Sequence, residues 1–65
     1  MMKVIEVLAQ SDKSWDDATR KAIAEVAKTI KNIRSVYVQD FSAVVKGKNI
    51  TEYRVNVKIT FEVDR

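Results

Sequence analysis

The chain has 65 residues, no cysteine and no histidine, and a formal net charge of +3 from twelve basic and nine acidic side chains. A chain of this length forms one domain with a thin core, and such chains are often marginal without disulfides, metals or oligomerisation. The missing residue types exclude disulfides, Cys/His zinc sites and the Ser-His-Asp and Cys-His nucleophilic systems. We therefore expect a single domain over residues 1–65.

The basic residues are spread along the chain and form no dense run of the kind that marks a nucleic-acid-binding arm. No stretch approaches the ~20 consecutive apolar residues of a membrane span. The N-terminal residues also lack the apolar segment of a signal peptide. We expect a cytoplasmic protein that has neither nucleic acid nor a membrane as a partner.

The first predicted element is a short, β-branched strand over residues 3–8. Successive side chains of a strand point to opposite faces of the sheet. The apolar residues of this strand fall on both parities, Val4 and Leu8 on one and Ile5 and Val7 on the other. Both faces are therefore predicted to be covered, and one of them to meet another copy of the chain.

The second element is an amphipathic helix over residues 15–30, preceded by Ser14 as a residue that caps the backbone N–H of Asp17. Trp15 is interpreted as a packing anchor at the first turn rather than as a ligand-stacking residue. The apolar side chains recur at helical spacing and predict one stripe that faces the sheet: Trp15, Ala18, Ala22, Ile23, Val26 and Ile30.

The second strand is predicted over residues 35–45, and its apolar parity switches near Asp40, as a β-bulge would produce. Residues 46–49 follow and contain the only glycine of the chain. They predict a hairpin turn in which Gly47 or Asn49 adopts a positive φ.

The third strand carries the strongest pattern, because apolar and polar side chains alternate without a break over residues 51–63. At ~3.3 Å per residue this strand would span about 43 Å. The helix, at ~1.5 Å per residue, would span about 24 Å. One such helix cannot cover so long an apolar face, so other copies of the chain are expected to cover the rest. The element order β-α-β-β predicts an α+β fold with one helix on a three-stranded antiparallel sheet.

The sequence resembles the dodecins, a family of very small proteins that form hollow homododecamers. The resemblance covers essentially the whole chain and rests on Lys-Val-Ile-Glu-Val from residue 3, Ser-Trp-Asp-Asp-Ala from residue 14, and residues 27–34 and 51–63. It implies a homododecameric shell with the helix on the concave side of the sheet. It also implies non-catalytic binding or storage of a small ligand near twofold axes, by family default a flavin such as riboflavin or FMN.

The chain departs from the flavin-binding dodecins at two positions. Those members carry a tryptophan after the helix, whose indole stacks on the flavin, and a glutamine in the last strand that hydrogen-bonds to the ring edge. The aligned residues here are Ser35 and Arg54. An aromatic stack contributes about 1–3 kcal/mol per base in nucleic-acid systems, so we expect weaker flavin binding. The pattern resembles the Trp-less branch of the family, which includes a calcium-binding dodecin.

The resemblance and the polar parity of the strands make Ser35, Tyr37 and Arg54 the candidate ligand-binding residues. Tyr37 either supplies a replacement aromatic wall or fills a subunit interface. Arg54 is suited to bind a phosphate or to stack on a planar ring. Its alternative role is an inter-subunit salt bridge with a carboxylate: Glu52, Glu6 or Asp40.

The alternative function is binding of calcium or another divalent cation without a flavin role. Asp40 and Glu52 are the candidate ligands, since oxygen ligands suit such cations and a symmetry axis multiplies carboxylates from copies of the chain. Asp16 and Asp17 are interpreted as residues that favour the helix N-terminus. No pair of carboxylates has a spacing that argues for catalysis, so the protein is not expected to be an enzyme.

Overall fold

A computed structural model describes residues 1–63 as one helix laid across a three-stranded sheet. The elements are β1 (Met2–Ser11), α1 (Trp15–Ala27), β2 (Ile33–Lys46) and β3 (Asn49–Glu62). β3 lies between the other two strands and is antiparallel to both, so the strand order is β1-β3-β2. The predicted β-α-β-β order and the α+β fold class are confirmed.

All three strands begin earlier than predicted, at Met2, Ile33 and Asn49. Backbone pairing recruits polar residues into the ladder regardless of their side chains. Gln10 of β1, for example, pairs with Arg54 of β3. Hydrophobic alternation therefore underestimates the length of these strands.

The helix ends at Ala27 rather than at the predicted Ile30. The chain does not leave the helix abruptly, because the Ile30 N–H still donates to the Val26 carbonyl over 2.9 Å. Ile30 consequently stays packed against the core, as predicted. Asn32, with a φ of 62°, then turns the chain into β2, and asparagine is one of the few residues that tolerate this left-handed region.

The core lies between the middle of α1 and the middle of β3. The predicted helix stripe is confirmed, because its residues are buried or packed against the buried cluster. Two of the helix residues at the closest approach are alanines, whose small side chains let the helix lie near the sheet. The buried apolar residues are Ala18, Ala22, Val26, Val55, Val57 and Ile59.

Trp15 connects the start of α1 to the β2–β3 hairpin through a hydrogen bond and two aromatic contacts. Its indole N–H donates to the Ser42 carbonyl over 2.9 Å. The ring lies edge-on to Tyr53 and Phe41, with centroid separations of 4.8 and 5.9 Å. Edge-to-face contacts of this kind are favourable beyond the area that they bury. The interpretation of Trp15 as a packing anchor agrees with this environment.

The hairpin shows the predicted bulge and the predicted turn. In the β2–β3 register Val38 faces Val57 and Asp40 faces Asn56, so one residue of β2 is left over between them. This bulge switches the parity of β2 where the sequence pattern does. Gly47 begins the two-residue turn with a φ of 63°, which a type II′ turn requires at that position.

The sheet is much longer than the helix that covers it. The chain measures 51 × 19 × 12 Å, whereas thirteen helical residues span about 20 Å. Val4 and Leu8 of β1 remain 57% and 79% exposed, on the face away from α1. Val45 and Ile50 are exposed on the helix side of the hairpin, beyond the reach of the helix. The single chain thus leaves apolar surface on both faces of the sheet.

The start of α1 is fixed by two serines around one carboxylate. The Ser14 side chain accepts from the Asp17 N–H over 2.9 Å, as predicted. Ser11, which is buried, donates to the Asp17 carboxylate and accepts from the Lys13 N–H over 3.0 Å. The Ser11 hydrogen bond is the main reason that the pKa of Asp17 lies below its ordinary value; Lys21 and Lys13 add to the effect and desolvation opposes it.

We expect Ser11→Ala to destabilise the protein more at neutral than at strongly acidic pH. A carboxyl whose pKa is lower in the folded than in the unfolded state stabilises the fold at any pH above its unfolded-state pKa. This stabilisation is lost as the pH falls through the folded-state pKa. The substitution removes the main cause of the lowered pKa, so the contribution shrinks. Urea denaturation at fixed protein concentration over this pH range measures the difference from wild type.

The control for this experiment is Asp17→Asn, with and without Ser11→Ala. In that background the effect of Ser11→Ala should be the same at every pH, since the hydrogen bonds of Ser11 then involve no group that titrates. If Ser11→Ala lowers the free energy of unfolding by the same amount at every pH even when Asp17 is present, Ser11 does not act through Asp17.

Candidate functional site

The five candidate residues lie on the sheet face opposite α1, which we call the outer face. The helix side of β3 is formed by Val55, Val57 and Ile59, so the intervening side chains point the other way. The strand register then assigns the same face to residues of the flanking strands. The candidates on the outer face are Ser35, Tyr37 and Asp40 of β2 and Glu52 and Arg54 of β3.

Within one chain the outer face separates Ser35 from Arg54. Ser35 pairs with Thr60, whereas Arg54 pairs with Ser42. The six-residue offset along β3 corresponds to about 20 Å. One small planar ligand cannot contact both residues of the same chain, so a shared site needs Ser35 and Arg54 from different copies.

The two candidate cation ligands are also apart in one chain. Asp40 pairs with Asn56 and Glu52 pairs with Val44, which places them about 13 Å from each other along β3. Among residues 1–63 no group of three or more acidic side chains gathers to hold a metal ion. The cation hypothesis therefore depends on carboxylates from several copies.

A cavity of about 390 Å³ opens on the outer face, where the three strands run side by side. Its volume lies within the roughly 300–1,000 Å³ typical of small-ligand sites. Two candidates, Asp40 and Arg54, line it, while Ser35 and Tyr37 do not. The full lining consists of Leu8, Ala9, Gln10, Asp40, Ser42, Arg54, Val55 and Asn56.

Arg54 and Asp40 bring opposite charges to the cavity, but they form no ion pair with each other within residues 1–63. Its Nε–H donates to the Gln10 Oε1 over 3.2 Å, across the β1–β3 pair. The ion pairs formed within residues 1–63 all involve other residues. The predicted partners Glu52, Glu6 and Asp40 do not pair with Arg54 inside one chain. Arg54 is exposed, and the remaining N–H groups of its guanidinium are suited to a ligand or a neighbouring subunit.

Asn56 is one of the cavity residues that the sequence analysis missed, together with Gln10 and Ser42. Its Oδ1 atom is buried and has no hydrogen-bond partner within the described chain. A buried acceptor without a partner costs about 1–3 kcal/mol. The available signal was its size, because Asn56 is a short amide between the long basic side chains Arg54 and Lys58 on the outer face of β3.

Tyr37 lies beside the cavity rather than in it. It pairs with Lys58, which lies one outer-face position beyond the cavity residue Asn56 on β3. Tyr37 is 66% exposed, so it offers an aromatic surface at the border between the cavity and Ser35. Both roles considered for Tyr37, an aromatic wall and an interface filler, agree with this position.

The Dodecin family model matches residues 1–64. The chain belongs to the dodecin family. No curated protein sequence matches it. The likeness to solved structures is one of fold, since sequence identity to them is low. The Trp-less branch and the likeness to a calcium-binding member stay hypotheses.

Solved dodecins match over the full length of this chain. A mutant of the Thermus thermophilus dodecin matches with a TM-score of 0.95 at 20% identity, and the match covers 100% of this chain and 97% of that one. The Streptomyces coelicolor dodecin gives 0.94 at 20% identity, with 100% and 93% covered. The Streptomyces davaonensis dodecin gives 0.93 at 22%, with 100% and 96% covered.

The described part of this dodecin contains no helix long and apolar enough to cross a membrane. The dodecameric assembly expected from the sequence is consistent with the solved members of the family.

Proposed function

We propose that this dodecin is a non-catalytic binding or storage protein for a small planar ligand, by family default a flavin. The observation that carries the proposal is the outer-face cavity, where the exposed apolar side chain of Leu8 lies among polar groups, two of which have hydrogen-bonding atoms in need of partners. Asn56 has an unpaired buried acceptor, and Arg54 has guanidinium N–H groups beyond the one held by Gln10. Such a mixture of apolar surface and a few oriented polar groups is typical of ligand sites.

The proposed binding form is a homododecameric shell. The single chain exposes apolar side chains on both sheet faces, including Leu8 on the outer face and Val45 on the helix side. Surfaces of this kind mark subunit interfaces in soluble proteins. The separation of Ser35 from Arg54 supports the same proposal, because a ligand that uses both residues needs two copies of the chain.

We propose further that flavin binding is weaker than in tryptophan-bearing dodecins. Ser35 has no aromatic face to stack on the isoalloxazine ring. Tyr37 provides the nearest exposed ring on this part of the outer face, one outer-face position along β2. Arg54 supplies donors but no acceptor, since a guanidinium has none.

Assembly is tested by sedimentation. We expect a species of about 90 kDa, twelve times the 7.4 kDa chain, at micromolar protein concentration. The expectation follows from the apolar surfaces that one helix leaves uncovered. A folded 7.4 kDa monomer under these conditions would contradict both the assembly and a ligand site built from two copies.

Ligand binding is tested by titrating riboflavin and following the quenching of its fluorescence. Ser35→Trp should bind riboflavin about ten times more tightly than wild type, because an aromatic stack is worth ~1–3 kcal/mol and ~1.4 kcal/mol is a factor of ten in affinity. Ser35→Leu is the matched control, since it adds apolar area without an aromatic face. Equal affinity of the wild type and Ser35→Trp would show that the ligand does not lie on this residue.

A further inference from the structure

β1 leaves one edge of the sheet without a partner strand. It is the first strand in the order β1-β3-β2, so β3 pairs with it on one side only. On its other side, backbone N–H and C=O groups form a row with which no strand among residues 1–63 pairs. An open edge of this kind is a template for pairing with a further strand.

The other edge strand, β2, is less suited to such pairing. Its register against β3 shifts at three places, between Ile33 and Ser35, Val38 and Asp40, and Val44 and Val45. Irregularities of this kind bend a strand and interrupt its ladder, and natural proteins use them to protect sheet edges. β1 pairs with β3 without a shift over its whole length. The edge of β1 is therefore the regular one.

The side chains of β1 are arranged symmetrically about Glu6. Val4 and Leu8 lie two positions away on either side and are exposed on the outer face. Ile5 and Val7 lie one position away and pack against the core on the helix side. In an antiparallel pair, residues at equal distances from a twofold axis lie opposite each other. A second β1 strand would therefore match apolar side chains with apolar side chains on both faces.

We propose that β1 pairs antiparallel with β1 of a second copy, about a twofold axis that passes between the two Glu6 residues. Val4 then lies opposite the partner's Leu8, and Ile5 lies opposite the partner's Val7. The two sheets join into one sheet of six strands. Twofold contacts are the commonest contacts in symmetric oligomers. The inference goes beyond the proposed function, because this pairing needs no ligand.

The neighbouring registers are less favourable. With the axis at Ile5, Val4 would lie opposite the partner's Glu6. With the axis at Val7, Leu8 would lie opposite the partner's Glu6. Both registers place a carboxylate against an apolar side chain, whereas the register centred on Glu6 keeps the two carboxylates together and the apolar residues together.

The two Glu6 carboxylates oppose the pairing, and Lys58 reduces their repulsion. Like charges directly opposite each other on one sheet face are destabilising. In the β1–β3 register Glu6 lies opposite Lys58 of the same chain. The ion pairs within residues 1–63 do not use Lys58, so its ammonium is available to the carboxylate beside it. Two Glu6 and two Lys58 side chains together carry no net charge.

The pairing also brings the second copy to the β1 side of the outer-face cavity. Leu8 and Gln10 line the cavity from β1. The proposed register places the partner's Val4 opposite Leu8 and the partner's Met2 opposite Gln10. Both methionine and valine are exposed in the single chain. The partner therefore supplies an apolar wall on the side where one chain leaves the cavity at the edge of its sheet.

Cysteine cross-linking tests the register, because the chain has no cysteine of its own. A disulfide needs Cα atoms about 4.4–6.8 Å apart, and opposite residues of antiparallel strands are ~4.5–5.5 Å apart. Glu6→Cys should therefore oxidise to a covalent dimer in most chains of the assembled protein. Val4→Cys alone should form none, since its two copies would lie about 13 Å apart along the strands. A co-assembled mixture of Val4→Cys and Leu8→Cys should form the dimer.

Gln39→Cys is the matched control, because Gln39 is exposed on the other edge strand. It should stay unlinked. Glu6 is also exposed, and circular dichroism checks that its replacement leaves the fold intact. If Glu6→Cys sediments as an oligomer but forms no disulfide, the inference is wrong, while the assembly and the proposed ligand site stand. A dimer formed by Val4→Cys alone would contradict the proposed register, and a dimer formed by Gln39→Cys instead of Glu6→Cys would assign the contact to β2.

Dissociation on dilution gives an independent readout. Glu6→Gln removes the pair of opposing carboxylates and should lower the concentration at which the oligomer dissociates by up to about fivefold, which corresponds to ~1 kcal/mol. Glu6→Lys places like charges opposite each other beside Lys58 and should raise that concentration. Glu52→Gln is the control, since Glu52 is an acidic residue of the central strand, and it should change nothing. Equal dissociation of the wild type and Glu6→Gln would place the two Glu6 side chains apart and contradict the inference.

Discussion

The difference in length between the strands and the helix decides the rest of this structure. β3 has 14 residues and α1 has 13, but an extended residue advances about 3.3 Å and a helical residue only ~1.5 Å. The helix therefore covers one part of one face. The core consists of three helix side chains over three residues of β3, and two of the helix residues are alanines. So small a core makes association with other copies the main available source of further burial.

Because the single helix covers only one face, the two faces of the sheet have different surroundings. On the helix side, Trp15 packs on Tyr53 and Phe41 and so covers part of the sheet toward the hairpin that the rest of the helix does not reach. The outer face has no helix, and its polar residues are free to line a cavity. Because β3 is the central strand, its outer-face residues contact both neighbouring strands. Arg54 and Asn56 lie in that central position, where residues of all three strands line one cavity.

The local features of the fold were predictable because short-range patterns determine them. The bulge at Asp40 appears in the sequence as a change of parity, and the Ser14 cap follows from its position before the helix. The Trp15 hydrogen bond to Ser42 was not predictable, since it joins residues far apart in the chain. The centre of the cavity was not predictable either. On sequence alone Asn56 is one more polar residue on a solvated face, and only the folded sheet shows that its oxygen is buried without a partner.

The balance between stacking and hydrogen bonding distinguishes the proposed site from one with a tryptophan. Aromatic stacking holds many planar rings with similar strength, because every such ring has a π-face. A buried acceptor instead penalises each ligand that lacks the matching donor, since the acceptor is then left unpaired. In the proposed site Ser35 takes the place of the stacking tryptophan, so a larger share of the binding free energy would come from polar groups such as Arg54. The proposed site therefore depends more on hydrogen bonding than on stacking.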